Sequence, residues 1–432
     1  MVALRARSLA ALDETGDDLH TPRVSRAHAL LLENVHSSAS EVLENAGVSV
    51  TRHGAGLDEQ GLIDALRGLP GSEPVFLGIR SKTRVTAAVM EAVPRLAGVG
   101  AFCIGTDQID LEAARARGVA AFNAPFSSTR SVAELVTGLI IMLARRIFPR
   151  DRAAQRGLWD KSAKGNYEVR GKTLGIVGYG HIGSQVSVLA ESLGMHVRFV
   201  DVVPKLPMGN ANVVDGLEQL LAQSDFVSLH VPRSESTRAM IGAAEIAKMK
   251  EGAYLINYSR GDVVDLGALR SAIESGQIAG AAVDVYPTEP ASAGDAFSSA
   301  LQGLDNVILT PHIGGSTAEA QANIGREVGQ SLVSFLVDGG TTGSVSLPEV
   351  DVPQRKKHSR LLNIHRNVPG VLSKINHAIA ESGVNIVGQR LATSDDIGVL
   401  VVELAGDENS ETVTALSHAI ASLDTTVRHR LL

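Results

Sequence analysis

The stretch Gly178-Tyr179-Gly180-His181-Ile182-Gly183 lies between a strand-like segment, residues 172–177, and a helix-like segment, residues 182–193. The first glycine permits a tight strand-to-helix turn, the second lets the backbone approach a pyrophosphate, and the third lets the helix pack closely on the sheet. The free N–H groups and the positive dipole end of the helix favour an anion at this point. The stretch therefore predicts the first βαβ unit of a dinucleotide-binding domain.

An acidic residue follows at the spacing that such a unit requires. The next strand, residues 196–200, ends at Asp201, about 20 residues beyond the glycines, where the ribose-binding acid belongs. A carboxylate accepts hydrogen bonds from a 2′-hydroxyl and repels a 2′-phosphate, so Asp201 favours NAD over NADP. A glycine-rich turn without a ligand is the alternative for the glycines alone, and the order of strand, turn, helix, strand and acid argues against it.

Length, charge and cysteine content argue against several classes of protein. A chain of 432 residues has room for two to four domains. Its net charge of −7 argues against a nucleic-acid protein, and its longest apolar stretch, residues 138–144, is too short to cross a membrane. The single cysteine, Cys103, excludes an intrachain disulfide framework and fits a reducing compartment, so we predict a cytoplasmic protein. Cys103 lies in an apolar run and is predicted to be a small buried core residue.

The first half of the chain alternates short β-rich runs with helical ones, which is typical of an α/β domain with a mostly parallel sheet. Residues 1–25 are predicted to be a disordered tail and not a signal peptide. The predicted strands are 28–32, 48–51, 75–79, 95–104 and 119–122, and the predicted helices are 38–45, 58–67 and 86–93. A long helix at 130–147 could connect this lobe to the next.

The second half contains a nucleotide-binding lobe and a small C-terminal unit. Six strands of a doubly wound fold are predicted at 173–177, 196–200, 226–230, 253–258, 279–285 and 306–310. A helix at 317–336 leads into a stretch rich in glycine, serine and proline, residues 338–357, which predicts a linker. The last 75 residues show a βαββαβ order, with the second helix from residue 408.

Three titratable residues stand at or just beyond predicted strand ends, where open α/β sheets place their ligands: Arg260, Glu289 and His312. Oxidation of a hydroxyl-bearing carbon needs a base near pH 7, which histidine provides. A carboxylate on the far ring nitrogen stabilises the imidazolium, and a guanidinium can hold a substrate carboxylate bidentately. Taken singly, each could be an ordinary surface or core residue. Their order downstream of a nucleotide fingerprint favours catalysis.

On these motifs the sequence resembles the D-isomer-specific 2-hydroxyacid dehydrogenases, in the bacterial form with a C-terminal ACT domain. The resemblance covers about residues 26–432. The matching motifs are Phe122-Asn123-Ala124-Pro125-Phe126, Thr129-Arg130-Ser131-Val132-Ala133-Glu134, Gly178 to Gly183, Ser259-Arg260-Gly261, Pro287-Thr288-Glu289-Pro290 and Thr310 to Ser316.

The resemblance implies a fold class of α/β with three domains: a doubly wound Rossmann-type cofactor domain, a discontinuous flavodoxin-like substrate domain and a C-terminal βαββαβ ACT domain. It implies a substrate domain at 26–127 and 315–337, an NAD-binding domain at 128–314, a linker at 338–357 and an ACT domain at 358–432. Gly314-Gly315 would be a hinge for closure over the substrate.

The resemblance also implies the activity and its residues. The reaction would be oxidation of 3-phosphoglycerate to 3-phosphohydroxypyruvate with NAD, the first step of L-serine synthesis, with Arg260, Glu289 and His312 as the catalytic residues and no metal. NAD would be bound by Gly178, Tyr179, Gly180, His181, Ile182, Gly183, Asp201, His230, Val231, Pro232, Ser259, Arg260, Asp284, His312 and Gly314.

The resemblance also implies two further groups of binding residues, one for the substrate phosphate and one for L-serine. Substrate phosphate would be bound by Arg80, Ser81 and Lys82, together with Lys161 reaching from a neighbouring subunit of a homotetramer paired through its ACT and cofactor domains. L-serine would be bound as an inhibitor by His365, Asn367 and Asn385, with Asn367 at a helix start where free N–H groups meet a carboxylate. Asn367 as a plain N-cap and Asn385 as a strand-entry residue stay open.

Two other functions stay open at this point. A glyoxylate or hydroxypyruvate reductase shares the catalytic residues but usually lacks an ACT tail. A nucleotide-sensing regulator without catalytic activity could also be built on the same fold. The C-terminal tail and the cluster from Arg80 to Lys82 argue against the reductase, and turnover of 3-phosphoglycerate would exclude the regulator.

Overall fold

The computed structural model describes residues 27–290, 294–354, 358–406 and 410–432. The tail predicted at 1–25, the end of the predicted linker at 355–357 and the predicted helix start at 408 lie outside the described residues. The described chain contains three sheets, two of them parallel and one antiparallel. This arrangement confirms the predicted fold class.

The first sheet has five parallel strands in the order β2-β1-β3-β4-β5, which is the flavodoxin-like order. The strands are β1 (Ala27–Leu31), β2 (Val48–Arg52), β3 (Val75–Ile79), β4 (Leu96–Ala101) and β5 (Ala120–Asn123). Its crossover helices are α1 (Ser37–Asn45), α2 (Glu59–Arg67), α3 (Ala87–Ala92) and α4 (Leu111–Ala116). β4 is shorter than the predicted strand 95–104, because the chain bends at residues 102–104.

The second sheet has seven parallel strands in the order β12-β11-β10-β9-β6-β7-β8, which is doubly wound around β6. The strands are β6 (Thr173–Val177), β7 (His196–Val200), β8 (Asn212–Val213), β9 (Phe226–Leu229), β10 (Ala253–Asn257), β11 (Ile278–Val283) and β12 (Val307–Leu309). The helices of this lobe are α5 (Thr129–Ala144), α6 (Ile147–Gln155), α7 (His181–Ser192), α8 (Leu217–Gln223), α9 (Ala243–Lys248) and α10 (Leu266–Ser275). The prediction of six strands missed β8, whose two residues are too few to produce an alternating pattern.

The helix predicted at 130–147 ends three residues earlier than predicted, and a second helix begins at Ile147. The helix α5 ends at Ala144, and Arg146 adopts a left-handed backbone with φ 50° before α6 begins. Pro149 has no N–H, and its ring would clash with the carbonyl of Arg145, so one continuous helix could not run through this point. None of the residues of α6 is buried. We call residues 147–167, which begin with α6, the arm.

After the second sheet the chain returns to the first lobe. The helix α11 (Ala318–Val337) packs on α1, and Ser38 Oγ donates to Ala322 O at 2.8 Å. A Cβ on Gly325 would lie 2.2 Å from Ser38 Oγ, so glycine permits this close helix contact. The first lobe is therefore assembled from two separate parts of the chain.

The segment predicted as a linker lies against β5 in its described part. Ser344 forms a β-bridge with Phe122, and Ser346 Oγ accepts from Ala121 N and donates to Val119 O, each at 2.8 Å. Leu347 is only 4% exposed and belongs to the first lobe's core. The glycine, serine and proline content predicted a linker, but small hydroxyl residues also pair well with a strand edge.

The C-terminal unit has the predicted βαββαβ order and an antiparallel sheet, β14-β15-β13-β16. Its elements are β13 (Ser359–Arg366), α12 (Val371–Ser382), β14 (Ile386–Thr393), β15 (Ile397–Leu404), α13 (Glu411–Ala421) and β16 (Thr426–Leu431). The two helices cover one face of the sheet. The other face shares one continuous core with the first lobe, through residues such as Leu362, Ile364 and Val399.

Three arginines fasten this sheet to the ends of helices in the first lobe. Arg428 donates to Arg117 O and Pro94 O, just past α4 and α3, and Arg430 donates to carbonyls at the end of α11 and stacks on Phe335 at 4.5 Å. Arg360, fully buried, pairs with Glu403 and with Asp338 at the end of α11. Cations at helix C-termini complement the negative end of the helix dipole.

No helix among the described residues is long and apolar enough to cross a membrane.

Candidate active site

The glycine stretch meets the rest of the second sheet at its carboxyl edge. Gly178 has φ +92°, and a Cβ there would lie 2.6 Å from His230 O. A Cβ on Gly183 would lie 2.2 Å from Gly178 O, whereas the space beside Gly180 is open. Gly180 also precedes the first residue of α7, where no side chain caps the helix. The geometry thus leaves an uncapped helix N-terminus with unobstructed backbone, which suits a pyrophosphate.

Asp201 follows β7 and braces the glycine turn. Its Oδ2 accepts from Tyr179 N at 2.8 Å, and its Oδ1 accepts from Val203 N at 2.9 Å. Each carboxylate oxygen keeps a lone pair that could accept from a ribose hydroxyl. The same carboxylate therefore shapes the turn, and its charge would disfavour a 2′-phosphate placed beside it.

We expect Asp201→Ala to reduce the preference for NAD over NADP, because it removes a ribose hydrogen bond and a repulsion together. The ratio of kcat/KM values for the two cofactors measures this effect. Asp215→Ala, on an exposed loop of the same lobe, is the matched control. An unchanged ratio in Asp201→Ala would mean that another residue reads the ribose.

His230 lies beside the glycine turn with one unsatisfied ring nitrogen. Its Nε2 is 2.9 Å from Ser228 Oγ, whereas the buried Nδ1 has no hydrogen-bond partner among the described residues. Burial lowers the pKa of His230 to about 4, so the ring is neutral at pH 7. A buried polar atom without a partner is costly, and a polar group of a bound nucleotide could satisfy it. The next residue, Val231, packs against Gly178, and Pro232 follows.

His312 and Glu289 form the pair that the sequence predicted. His312 Nδ1 lies 2.9 Å from Glu289 Oε2 and 3.1 Å from Oε1, and the same carboxylate accepts from Tyr286 N at 3.2 Å. The other ring nitrogen, Nε2, has no partner among the described residues. The side chains of His312 and Glu289 are 51% and 36% exposed, so the pair is open to a substrate.

The loop that carries His312 is held by a buried carboxylate. Asp284 accepts from Ile313 N and Gly314 N, each at 2.8 Å, and from Thr310 Oγ1 at 2.6 Å. His312 itself has φ 54°, an uncommon conformation for a residue with a side chain. Asp284, predicted as a cofactor residue, is 2% exposed, and both of its carboxylate oxygens accept hydrogen bonds from this loop. Its described contacts make it a positioning residue for His312.

The hydrogen bond to Glu289 raises the pKa of His312 above its usual value, against the opposing effect of burial. Burial alone would raise the pKa of Glu289, but the hydrogen bond and charge of His312 lower it below its usual value. The charged pair is therefore favoured over the neutral one. A protonated histidine suits carbonyl reduction, and a neutral one suits alcohol oxidation.

We expect Glu289→Gln to lower the kinetic pKa of His312, because the charge that favours the imidazolium is removed. Reduction needs the protonated ring, so its activity falls as pH rises through that pKa, and this fall should occur at lower pH in the variant. The pH profile of kcat/KM for carbonyl reduction measures the shift. A profile that does not move, or moves to higher pH, would count against the pair.

Arg260 projects from a turn that its neighbours fix. Asn257 Oδ1 accepts from the backbone and hydroxyl of Ser259, and Asn257 Nδ2 donates to Arg260 O at 3.0 Å. A Cβ on Gly261 would lie 2.0 Å from the backbone of Tyr286, so only glycine fits there. Arg260 Nη2 lies 3.3 Å from the point where a Cβ on Gly105 would stand. The guanidinium of Arg260 therefore reaches the first lobe at the loop after β4. We call the space between the carboxyl edges of the two parallel sheets the cleft.

The predicted phosphate residues Arg80, Ser81 and Lys82 directly follow β3, at the carboxyl edge of the first sheet. Cys103 follows β4 at the same edge, half-buried and with Sγ 3.2 Å from Gly105 O. The prediction of a buried core cysteine was wrong in part: the side chain packs on the core, but it lies past the strand where the chain turns into the cleft. Burial raises the pKa of its thiol, so it stays protonated at neutral pH.

Lys161 is not brought to the site of its own chain. It lies on the arm, in a groove lined with Arg146, Arg150, Trp159 and Tyr167 that contains none of the catalytic residues. The side chain of Trp159 is 84% exposed. A role for Lys161 at a substrate requires a second copy of the chain.

The three effector residues lie at one end of the C-terminal sheet or beside its edge strand. His365 is 1% exposed, and its Nε2 is buried without a partner among the described residues, under Gly398. The helix start predicted at Asn367 was wrong, as was the N-cap alternative, because α12 begins at Val371 after Gly370 in a left-handed conformation. Asn367 Nδ2 instead donates to Ser394 O at 2.8 Å. Asn385 is exposed immediately before β14.

The sequence interpretation missed two side chains at the cleft, Glu33 and Gln108. Glu33 follows β1 and accepts from the backbone N–H groups of Lys82 and Thr83, and Gln108 donates to Arg80 O at 2.6 Å. The position of Glu33 directly after a predicted strand was a usable signal. Its partners, about 50 residues away in the chain, could not be read from spacing.

Comparison with known proteins places these features in a family. The model of the D-isomer specific 2-hydroxyacid dehydrogenase NAD binding domain matches residues 137–314, and that of the AHAS small subunit-like ACT domain matches residues 361–428. D-3-phosphoglycerate dehydrogenase of Haemophilus influenzae is 49% identical over 409 residues, which cover 94% of this chain and 98% of that protein. The Escherichia coli K12 protein of the same name is 49% identical over 404 residues, which cover 93% and 97%.

A solved structure has a similar fold over most of its chain. The crystal structure of a glyoxylate reductase from Paecilomyes thermophila is 29% identical, with a TM-score of 0.66, and the match covers 74% of this chain and 98% of that one.

Proposed function

Because the chain belongs to the D-isomer-specific 2-hydroxyacid dehydrogenases, among the D-3-phosphoglycerate dehydrogenases, we propose that it oxidises 3-phosphoglycerate to 3-phosphohydroxypyruvate with NAD, the first step of L-serine biosynthesis. The observation that carries this proposal is the proton-transfer pair of His312 and Glu289 at the carboxyl edge of the second sheet. Arg260 reaches from there towards the carboxyl edge of the first sheet, where Arg80 and Lys82 follow β3. The near full-length similarity to relatives of that name supports it.

Each residue of the site has a separate role in the proposed reaction. Arg260 holds the substrate carboxylate, since a guanidinium offers two parallel donors to a carboxylate. His312 Nε2 takes the hydroxyl proton as the carbon gives up its hydride, and Glu289 stabilises the imidazolium that forms. Bound NAD supplies the hydride acceptor, and Asp201, His230 and the glycine turn would hold it. Asp284 keeps the His312 loop in place throughout.

A reductase of unphosphorylated hydroxypyruvate is the second candidate, and the similarity to a glyoxylate reductase favours it. The C-terminal unit and the paired cations argue for the phosphorylated substrate. A steady-state assay of 3-phosphohydroxypyruvate reduction with NADH, beside one with hydroxypyruvate, decides between the two. No turnover of either substrate would favour a regulator without catalytic activity.

We propose that the protein works in the cytoplasm as a homotetramer paired through the ACT and cofactor domains. Exposed apolar side chains support two contact surfaces: Leu158 and Trp159 on the arm, and Val387 and Leu391 on the edge strand β14. Pairing through the arm would carry Lys161 towards the partner's substrate. Light scattering on the purified protein, with Trp159→Ala beside it, tests this assembly.

We also propose that L-serine inhibits the enzyme through the ACT domain, using His365, Asn367 and Asn385. The Nε2 of His365 is buried without a partner among the described residues, so it could form a hydrogen bond with the hydroxyl or carboxylate of L-serine. Burial lowers the pKa of His365, so the ring is neutral at pH 7. The coupling route is short, because the ACT sheet shares its core with the substrate lobe. An effector that favours one position of the ACT sheet therefore acts directly on the lobe that closes.

We expect Asn385→Ala to raise the L-serine concentration for half inhibition by roughly 5- to 150-fold, the usual range of coupling between two sites. The kcat should stay within about twofold, because the two sites are independent. Inhibition curves on the full chain measure both. Ser382→Ala, at the end of α12, is a control nearby. If millimolar L-serine neither binds nor inhibits the unmodified enzyme, the regulatory proposal is wrong.

A further inference from the structure

Glu33 is a buried carboxylate in an unusual backbone conformation at the cleft. Its side chain is 7% exposed, and its φ is 58°, in the left-handed region that favours glycine or asparagine. Asn34 beside it has φ 53°. A charged residue in such a conformation is costly, and strained residues of this kind cluster at ligand sites. The conformation is therefore a reason to ask what the Glu33 carboxylate does.

Both oxygens of Glu33 are used on one short loop. Oε2 accepts from Lys82 N at 3.0 Å, and Oε1 accepts from Thr83 N at 2.7 Å. Thr83 is 1% exposed, and its hydroxyl in turn accepts from Leu57 N at 3.3 Å. Charge-assisted hydrogen bonds to backbone N–H groups are the stronger kind, particularly where water is excluded. Glu33 thus holds one end of the loop that follows β3.

The other end of this loop is held from the opposite side. Gln108, on the loop after β4, donates from Nε2 to Arg80 O at 2.6 Å. Val85 and Ile109 form a parallel β-bridge just beyond. Residues 80–83 are therefore fixed at both ends by side chains from two neighbouring strand ends.

The side chains of this fixed loop remain available. Arg80 is half-buried, Ser81 and Lys82 are exposed, and neither cation forms an ion pair with a described residue. The carboxylate of Glu33 binds backbone N–H groups and leaves both cations unneutralised by a contact. Two cations on a loop with a fixed backbone suit a dianion, because the backbone that carries them needs no ordering when it binds.

We propose that Glu33 is a positioning residue for substrate phosphate, which sets the loop of Arg80, Ser81 and Lys82 so that both cations meet one phosphate group. The inference rests on the proposed function and deepens it. It assigns the preference for a phosphorylated over an unphosphorylated hydroxy acid to a carboxylate that need not touch the substrate. Removal of Glu33 should therefore affect the binding of the phosphorylated substrate and spare the chemistry at His312.

The test compares Glu33→Gln with the unmodified chain on two substrates. We expect the KM for 3-phosphohydroxypyruvate to rise by roughly tenfold or more, the effect of weakening one charge-assisted contact. The KM for hydroxypyruvate should stay within about twofold, and kcat should be retained for both. The matched control is Glu44→Gln, which makes the same change of charge at the exposed end of α1 and should alter neither substrate.

A second variant separates positioning from folding. Glu33→Gly removes the carboxylate but relieves the left-handed conformation, so it should fold and show the same selective rise in KM. Amide exchange should become faster at Lys82 and Thr83 in both variants.

Equal changes for both substrates, a lower KM for the phosphorylated one, or unchanged exchange at Lys82 and Thr83 would overturn the inference. An unmodified chain that reduces hydroxypyruvate but not its phosphorylated form would instead refute the proposed substrate, and this inference with it.

Discussion

His312→Ala should lower kcat by at least about 10²-fold in both directions, the usual contribution of general acid–base catalysis. The ring takes the hydroxyl proton during oxidation and returns it during reduction, and alanine can do neither. The structure holds His312 against Glu289 at 2.9 Å and fixes its loop through Asp284. No other histidine of the described residues contacts Glu289, so no second histidine could replace His312 as the proton-transfer group.

Steady-state kinetics and NADH binding together measure this effect. The affinity for NADH should change little, because the glycine turn and Asp201 are untouched. His196→Ala is the matched control, since His196 is exposed at the start of β7, on the opposite edge of the sheet. A His312→Ala enzyme with near-normal kcat would refute the assignment of the proton-transfer residue.

Arg80→Ala should lower kcat/KM for 3-phosphohydroxypyruvate by roughly 10- to 150-fold, since a charge-assisted contact contributes about 1.5 to 3 kcal/mol. Reduction of hydroxypyruvate should fall far less, because a substrate without phosphate needs only Arg260 for its carboxylate. Gln108 and Glu33 hold the loop of Arg80 by its backbone, so the loop should keep its position in the variant.

The ratio of the two kcat/KM values is the measurement. Arg67→Ala removes the same charge from the C-terminal end of α2, away from the cleft, and should leave the ratio unchanged. Equal losses for the two substrates in Arg80→Ala would favour the plain hydroxypyruvate reductase and refute the phosphate role.

Local patterns in the sequence determined the fold class and the chemistry. The glycines from Gly178 to Gly183 and the acid Asp201 belong to one βαβ unit. Their spacing along the chain was therefore enough to predict their arrangement in space. The periodicity of the segments in the C-terminal unit likewise predicted their βαββαβ order. His312 and Glu289 could be paired from their residue types, since both follow strands that meet at one sheet edge.

Only the tertiary structure decided which distant groups hold these residues in place. Glu33 and Lys82 are neighbours because β1 and β3 lie side by side, and no local pattern encodes that adjacency. Arg428 and Arg430 of the C-terminal sheet meet helix ends far away in the chain. The segment predicted as a linker lies against β5 through Ser344 and Ser346, a contact that its composition does not encode. Periodicity records which face of an element is buried, whereas the partner of that face follows from packing the whole chain.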